Sequence, residues 1–239
     1  MTARPLSARP NASDAPLADA PAEGRRERGK AARRADIVQA ARRLIQRQGE
    51  GGFSMQALAE EADVSPMTPY NLFGSKQGVM HAVLDEDLLS FKAGVDSLRV
   101  DALERIFRTV ALARKTYEAE PNFYRTVFRG AELGSASENE RVLFRAPRRA
   151  VWIALAQAAL DGGQLDQGVV DGAALGTSLS QILFSCIVDW LSGLHGLREF
   201  EAQAQLGMAL LLLGLATPPV RERLLEKIAK SRRTLARAA

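Results

Sequence analysis

The chain has 239 residues, of which 46% are hydrophobic, 25% charged and 6% aromatic, the composition of a soluble globular protein with a sizeable core. Its one cysteine, Cys186, excludes an intramolecular disulfide, and we expect a cytoplasmic protein. The first thirty residues lack the apolar region of a secretory signal. The apolar stretch 173–194 is interrupted by Thr, Ser, Gln and Asp, so we expect a buried helix and no membrane partner.

The net charge of +4 is unevenly distributed. Residues 1–47 carry a net charge of +6 and residues 221–239 carry +5, whereas residues 48–220 carry −7. A basic N-terminal segment attracts polyanions, of which nucleic acid is the commonest in the cytosol. For a charge run alone, a solvated tail is the simpler interpretation, and we predict a disordered basic arm over residues 1–32.

The ordered chain is predicted to be all-α, because no strand-like alternation and no internal repeat is found. A first helix begins near Arg33 and ends at the glycines from Gly49 onward. Its inward face consists of Ile37, Ala40, Ala41, Leu44 and Ile45, which follow helical spacing.

Two short helices come next, separated by a tight turn. Ser54 is expected to cap the first, Met55–Glu61, and the second runs to about residue 72 after the restart signal Ser65-Pro66. Two helices that cross steeply need a small residue at their contact and an apolar residue that fills the corner after the turn. Ala59, four positions before the turn residue Asp63, is the small residue, and Val64 is the apolar plug. This spacing predicts a helix-turn-helix, although a helical hairpin inside any bundle would share it.

The rest of the chain is predicted as a series of longer helices. A long helix covers residues 76 to about 98, and the capping-box spacing of Asp101 and Glu104 opens the next, which ends near residue 119. The next helix runs from residue 121 to about 134. Pro147 interrupts or starts another, which ends at residue 162. Three more helices are predicted over about 168–192, over 199–216, and from Pro218 into a basic tail.

Residues 53–80, FSMQALAEEADVSPMTPYNLFGSKQGVM, carry the most specific pattern in the chain. Together with the flanking helices, from residue 37 to 84, they resemble the DNA-binding domain of the TetR family of regulators. The matching features are the Phe-Ser opening, Leu-Ala, Val-Ser at the turn, Thr-x-Tyr and Phe-x-x-Lys. The resemblance implies a three-helix helix-turn-helix domain over residues 33–80, joined by a long helix to a helical ligand-sensing and dimerisation domain over 81–217, followed by a basic C-terminal helix and tail over 218–239.

The resemblance also assigns DNA contacts, with Ser65 at the turn among the DNA-binding positions. Ser54, Tyr70 and Lys76 would hold backbone phosphates. The major groove or its edges would be contacted by Pro66, Met67, Thr68 and Asn71. The basic arm, with Arg25, Arg26, Arg28, Arg33 and Arg34, would follow the backbone or enter the minor groove.

The sequence departs from the family pattern at three positions. Asp63 replaces a turn glycine, which aspartate tolerates at modest strain. Pro69 replaces leucine and removes the amide that would bond the Ser65 carbonyl, so we expect a 3₁₀-like first turn. Leu72 replaces a common histidine and removes a phosphate contact.

An enzyme is not predicted. His81 and His195 lie in no recognisable motif, Cys186 lies in a buried helix, and no metal or cofactor site is indicated. Two alternatives to a ligand-released regulator stay open: a helical protein-interaction adaptor, and a regulator of this family without a small-molecule effector.

The resemblance implies a homodimer through helices 168–192 and 199–216, with small residues such as Ala174, Gly207 and Ala209 permitting close packing; an internal core helix is the alternative. It also implies a repressor that a small effector releases from an inverted-repeat operator. Few inward Arg or Lys residues are expected, which argues for a largely apolar ligand and against a strongly anionic one. The candidate pocket residues are Phe91, Phe107, Tyr117, Phe123, Phe128, Trp152, Gln181, Phe184 and Asp189.

Overall fold

The computed structural model describes residues 20–49, 52–129 and 138–237, which form α-helices joined by short turns. The predicted all-α class is confirmed for these residues. The helices are α1 Ala20–Gln48, α2 Met55–Glu61, α3 Met67–Phe73, α4 Lys76–Asp96, α5 Ala102–Ala119, α6 Pro121–Phe128, α7 Glu138–Asp161, α8 Gly172–Leu191, α9 Leu197–Leu213 and α10 Pro218–Ala236.

The chain divides into two compact units, one ending at Asp36 and one beginning at Ile37. In the first unit, α1 begins at Ala20 rather than near Arg33. The disorder predicted for residues 1–32 is therefore wrong for residues 20–32, and residues 1–19 lie outside the described residues. Four alanines and six charged residues in this segment favour a helix without any apolar periodicity, and Pro21 is tolerated in the first turn, although two glycines oppose the helix.

In the second unit, two helices differ from the sequence prediction. Helix α8 begins at Gly172 rather than near residue 168, because the Asp171 side chain caps it by accepting from the amide of Ala174. Helix α6 is Pro121–Phe128, and the end predicted near residue 134 lies outside the described residues. Helix α7 runs through Pro147 without a break. A proline inside a helix removes one hydrogen bond, and the close packing of α7 against α8 offsets that loss.

The largest part of the core of this unit lies between α5, α6, α7, α8 and α9. Its largest fully buried side chains include Trp190, Tyr124, Phe107, Phe123 and Phe200. By its length and composition alone, helix α8 could cross a membrane. In the fold, 44% of its most apolar stretch is buried. Nine of its twenty residues are buried, so α8 contributes one side to the core and is not the fully buried helix that the sequence predicted.

Short helix α3 is held against the start of α4 by a glycine. Ser75 caps α4 by accepting from the amide of Gly78, and a Cβ on Gly78 would lie 2.0 Å from the carbonyl oxygen of Phe73. Only glycine fits at this contact, since backbone atoms cannot rotate away. Gly78 therefore helps to set the position of α3, and the sequence analysis did not single it out.

The predicted cap at Asp101 is confirmed and is part of a larger contact. Its carboxylate accepts from the amide of Glu104 at 3.0 Å, from Nε2 of Gln164 at 2.8 Å and from Nη2 of Arg223 at 2.8 Å. Burial alone would raise the pKa of Asp101, but these three hydrogen bonds outweigh it and lower the pKa to about 2. Asp101 therefore joins the start of α5 to α10 and to the turn after α7.

We expect Asp101→Asn to lower the free energy of unfolding at neutral pH by about 1 kcal/mol, since the side chain is nearly half exposed. A lowered folded-state pKa stabilises above the ordinary value of 3.8, and this contribution is lost as the pH falls through about 2. Urea unfolding should therefore show that the difference in free energy of unfolding between the variant and the wild type becomes smaller as the pH is lowered. The exposed Asp96→Asn serves as control, and a gap independent of pH would contradict the assignment.

Candidate nucleic-acid interface and internal cavity

The turn between α2 and α3 has the geometry that the sequence predicts. Asp63 has a φ of 50°, in the left-handed region that aspartate tolerates. The amide of Val64 donates to the carbonyl oxygen of Ala59 at 3.0 Å. Ala59 is buried and Val64 packs against the core. The small contact residue and the apolar plug are confirmed.

The first turn of α3 is tight, as Pro69 predicts. The amide of Thr68 donates to the Ser65 carbonyl at 2.9 Å, a bond between residues three apart. The restart signal Ser65-Pro66 does not act as a cap by Ser65, because Pro66 occupies the N-cap position and the Ser65 hydroxyl bonds the Thr68 hydroxyl at 2.8 Å. Both hydroxyls therefore lie together at the start of α3.

One face of α3 is exposed although it carries large apolar side chains. Met67 is 61% exposed and Tyr70 47% exposed, and Asn71 is exposed beside them. Pro69 is buried on the opposite face. Exposed large apolar residues that adjoin polar ones mark a contact surface. We call Pro66, Met67, Thr68, Tyr70 and Asn71 the α3 face; Thr68 is half-buried within it.

The start of α4 meets the segment that leads into α2. The Lys76 ammonium lies 5.3 Å from the centre of the Phe53 ring, and a Cβ on Gly52 would lie 3.2 Å from its Nζ. Ser54 follows, exposed, with its hydroxyl accepting from the amide of Ala57 at 3.0 Å. The hydroxyl hydrogen stays able to donate. The fold thus brings two of the three predicted phosphate contacts to one place.

The described part of the first unit is strongly basic. Arg33 and Arg34 are exposed on α1, as are Arg26, Arg28 and Lys30. Arg25 also lies on this helix, and its side chain is outside the described residues. Five exposed cations on one helix produce a strong positive potential.

A cavity of about 210 Å³ lies between α4, α5, α6, α7 and α8. Six of the nine predicted pocket residues line it, namely Phe91, Tyr117, Phe128, Trp152, Gln181 and Phe184. Three predicted residues do not. Phe107 is buried under the ammonium of Lys227, and Phe123 is buried under the guanidinium of Arg42. Asp189 is half-buried elsewhere on α8.

The charge of the cavity overturns one expectation. Arg145, Arg148 and Arg149 line it together with Asp87, whereas few inward basic residues were expected. The three arginines are spaced i, i+3 and i+4 on α7, and Trp152 continues the same face. That spacing was the available signal, because it places them beside an apolar cavity residue.

Asp87 also belongs to a hydrogen-bonded cluster that joins the cavity to α1. Its carboxylate accepts from the Tyr124 hydroxyl at 2.5 Å and from Nη1 of Arg42 at 3.3 Å. Arg42 additionally donates through Nε to Glu120 at 2.9 Å and through Nη2 to the Tyr124 hydroxyl at 3.4 Å. Burial would lower the pKa of Arg42, but the bonds to Glu120 and Tyr124 raise it. Arg42, Asp87, Glu120 and Tyr124 are called the Arg42 cluster below.

The cysteine behaves as a core residue. Cys186 is buried, and burial raises the pKa of its thiol to about 11. The thiol is therefore protonated at neutral pH and a poor nucleophile. Within residues 20–49, 52–129 and 138–237, no group of His, Cys, Asp or Glu is arranged to hold a metal ion.

Comparison with known proteins finds a family model and several solved structures. Residues 37–83 match the model of bacterial regulatory proteins of the tetR family. No curated protein sequence is significantly similar to the chain. A TetR transcription regulator from Haloarcula marismortui is similar with a TM-score of 0.64 and 18% identity, over 78% of this chain and 100% of that one.

Two further solved structures carry a ligand or receptor description. A gamma-butyrolactone receptor (ArpA-like protein) is similar with a TM-score of 0.55 and 18% identity, over 85% of this chain and 98% of that one. The structure of RolR in complex with resorcinol is similar with a TM-score of 0.58 and 17% identity, over 87% of this chain and 94% of that one. These matches extend the fold of transcription regulators to the helices beyond the matched domain. Residues 37–83 are therefore a DNA-binding domain of the TetR family of bacterial regulators, and the described helices beyond it share the fold of solved regulators of that family.

Proposed function

We propose that the chain is a dimeric repressor that binds an inverted-repeat operator in the cytoplasm and is released from it by a small molecule. The observation that carries the DNA half is the exposed α3 face within a tetR-type domain. A short helix that exposes Met67 and Tyr70 has that surface available for the major groove. Lys76 and Ser54, which flank it, are available for phosphates.

The two-fold operator rests on a dimer through α8 and α9. Helix α9 leaves Leu206, Leu210 and Leu213 incompletely buried at helical spacing, with Leu210 55% exposed. On α8, which packs against α9, the small residue Ala174 is exposed. An apolar stripe beside small residues suits a four-helix interface. Ala209 is fully buried inside the chain, so that part of α9 is core, as the alternative interpretation allowed.

A DNA titration tests this proposal without any effector. We expect an inverted repeat from upstream of the gene to bind two chains, with an affinity that falls steeply as salt rises. Tyr70→Phe and Lys76→Ala should weaken binding to all sequences about equally, by roughly 10-fold or more. Changes at Thr68 or Asn71 should instead alter preference at one base pair per half-site, by about 1–3 kcal/mol.

Lys92→Ala is the matched control, since it removes an exposed lysine from the other end of α4. It should leave binding within about 2-fold, as expected of a surface change away from the interface. Binding that is independent of salt, or absent for every upstream repeat, would favour the protein-interaction adaptor. A free chain that sediments as a monomer would contradict the dimer.

The effector half rests on the cavity and on the Arg42 cluster. Asp87 and Tyr124 line the cavity and also bond Arg42, which lies on the first helix of the DNA-binding domain. A ligand that displaces either side chain therefore changes a contact of α1. Such a ligand shifts the population between two arrangements only by its difference in affinity for them. The similarity to a gamma-butyrolactone receptor and to a resorcinol complex supports a small-molecule effector.

A further inference from the structure

The cavity contains a buried cation that is incompletely bonded. Arg148 lies on α7 with its guanidinium 3.9 Å from the centre of the Phe144 ring. Its Nη1 donates to the Phe144 carbonyl oxygen at 3.0 Å. Its Nη2 is buried and has no hydrogen-bond partner. Nearly all buried polar atoms in proteins have partners, so an exception calls for an explanation.

The charges of Asp87 and Asp85 act on this guanidinium, but neither carboxylate bonds its Nη2. Asp87 is engaged by Tyr124 and Arg42 through its Oδ1 atom. Burial lowers the pKa of Arg148, while the charge of Asp87 and the neighbouring Tyr117 oppose that shift. Arg145 and Arg149 add positive charge to the same lining. An anion in the cavity would give the unpartnered Nη2 of Arg148 a charge-assisted hydrogen bond.

The remaining lining is mostly apolar. Phe91, Phe128, Trp152 and Phe184 contribute aromatic surface. The volume of about 210 Å³ is smaller than that of most drug-sized ligand pockets, which begin at about 300 Å³. A compact molecule with one polar end matches this combination of size and chemistry.

We propose that the cavity binds a small carboxylic acid whose carboxylate pairs with Arg148 and whose apolar part packs on the aromatic lining. The inference rests on the proposed function only in taking this cavity as the effector site. A guanidinium binds a carboxylate through two parallel N–H donors, and it does so most strongly away from water. The primary amide of the same acid has nearly the same shape without the charge. Comparing the affinities for the acid and the amide therefore measures the contribution of the charge.

Calorimetric titration with hydrocinnamate, octanoate and benzoate, each beside its primary amide, tests the proposal without DNA. We expect at least one acid to bind, about 10-fold or more tighter than its amide. Arg148→Gln should weaken the binding of that acid by about 10-fold or more and change the affinity for the amide by no more than about 3-fold. Lys115→Gln, which removes an equal charge from an exposed position of α5 outside the cavity lining, should change the acid affinity by less than about 3-fold.

Arg148→Met keeps the proposal testable if the glutamine variant folds poorly. Replacing an unpaired buried cation by an apolar side chain should leave the Tm of the free protein unchanged or raise it. A lowered Tm would instead assign Arg148 to the stability of the fold and overturn the proposal. It is also overturned if acid and amide bind equally, if no acid binds, or if Lys115→Gln has the same effect as Arg148→Gln. Operator binding in the absence of ligand tests the proposed function independently of these results.

Discussion

Arg42→Met is expected to lower the free energy of unfolding by about 3 kcal/mol, the low end of the cost of removing one partner from a buried ion pair. Arg42 holds Asp87, Glu120 and Tyr124 at once, and its side chain is 23% exposed. Without it, the Asp87 carboxylate, 13% exposed, keeps the hydrogen bond from the Tyr124 hydroxyl and the more distant charge of Arg148. These replace only part of the solvation that the buried anion has lost.

The neighbouring Arg43→Met provides a matched control for this measurement by urea unfolding. Arg43 pairs with Glu61 at 2.9 Å, but its side chain is 54% exposed. The same substitution should therefore cost less than about 1 kcal/mol, as exposed pairs do. Equal losses in the two variants would mean that the Arg42 cluster stabilises the fold no more than a surface pair. In that event the proposed link between the cavity and α1 would lose its structural support.

Gly176→Val is expected to lower the free energy of unfolding by about 3 kcal/mol or more, beyond the usual cost of overpacking a core. A Cβ at Gly176 would lie 2.3 Å from the Cα atom and 2.5 Å from the backbone nitrogen of Ile153. Both atoms belong to the backbone of α7, so a rotamer change cannot relieve the clash. Helices α7 and α8 would have to separate, and these helices also carry most of the cavity lining.

Ala173→Val is the control, because this residue is exposed on the same helix. It should cost less than about 1 kcal/mol, the difference in helix propensity between the two residues. Thermal and urea unfolding measure both variants. A Gly176→Val protein as stable as Ala173→Val would show that the two helix backbones do not approach as closely as the structure has them.

The DNA-binding half was predictable because its determinants are local. Ala59, Asp63 and Val64 contact one another within six positions of the chain, so their order in the sequence specifies the turn. Pro69 removes one main-chain donor whatever the rest of the fold does, and the tight bond from Thr68 to Ser65 follows. Caps at Ser54 and Asp101 are equally local.

The start of α1 was missed for the opposite reason. Residues 20–32 have no apolar face, and periodicity detects a helix only through the side chains that it buries. Their composition of alanine and charged residues carried the signal as backbone propensity. Pro147 was expected to interrupt or start a helix, but it lies inside α7, because the tertiary packing of α7 outweighs one lost hydrogen bond.

The sequence by itself determined the all-α class, the recognition turn and the set of aromatic residues from which the cavity is built. The tertiary structure decided which of them face the cavity and which charges join them. Phe91 and Phe123 are equivalent as sequence, yet one lines the cavity and the other lies under Arg42. The basic run at residues 145–149 is usually a solvated face, and here it lines the cavity beside Trp152. These outcomes depend on how five helices are arranged around one space, and contacts between residues far apart in the chain set that arrangement.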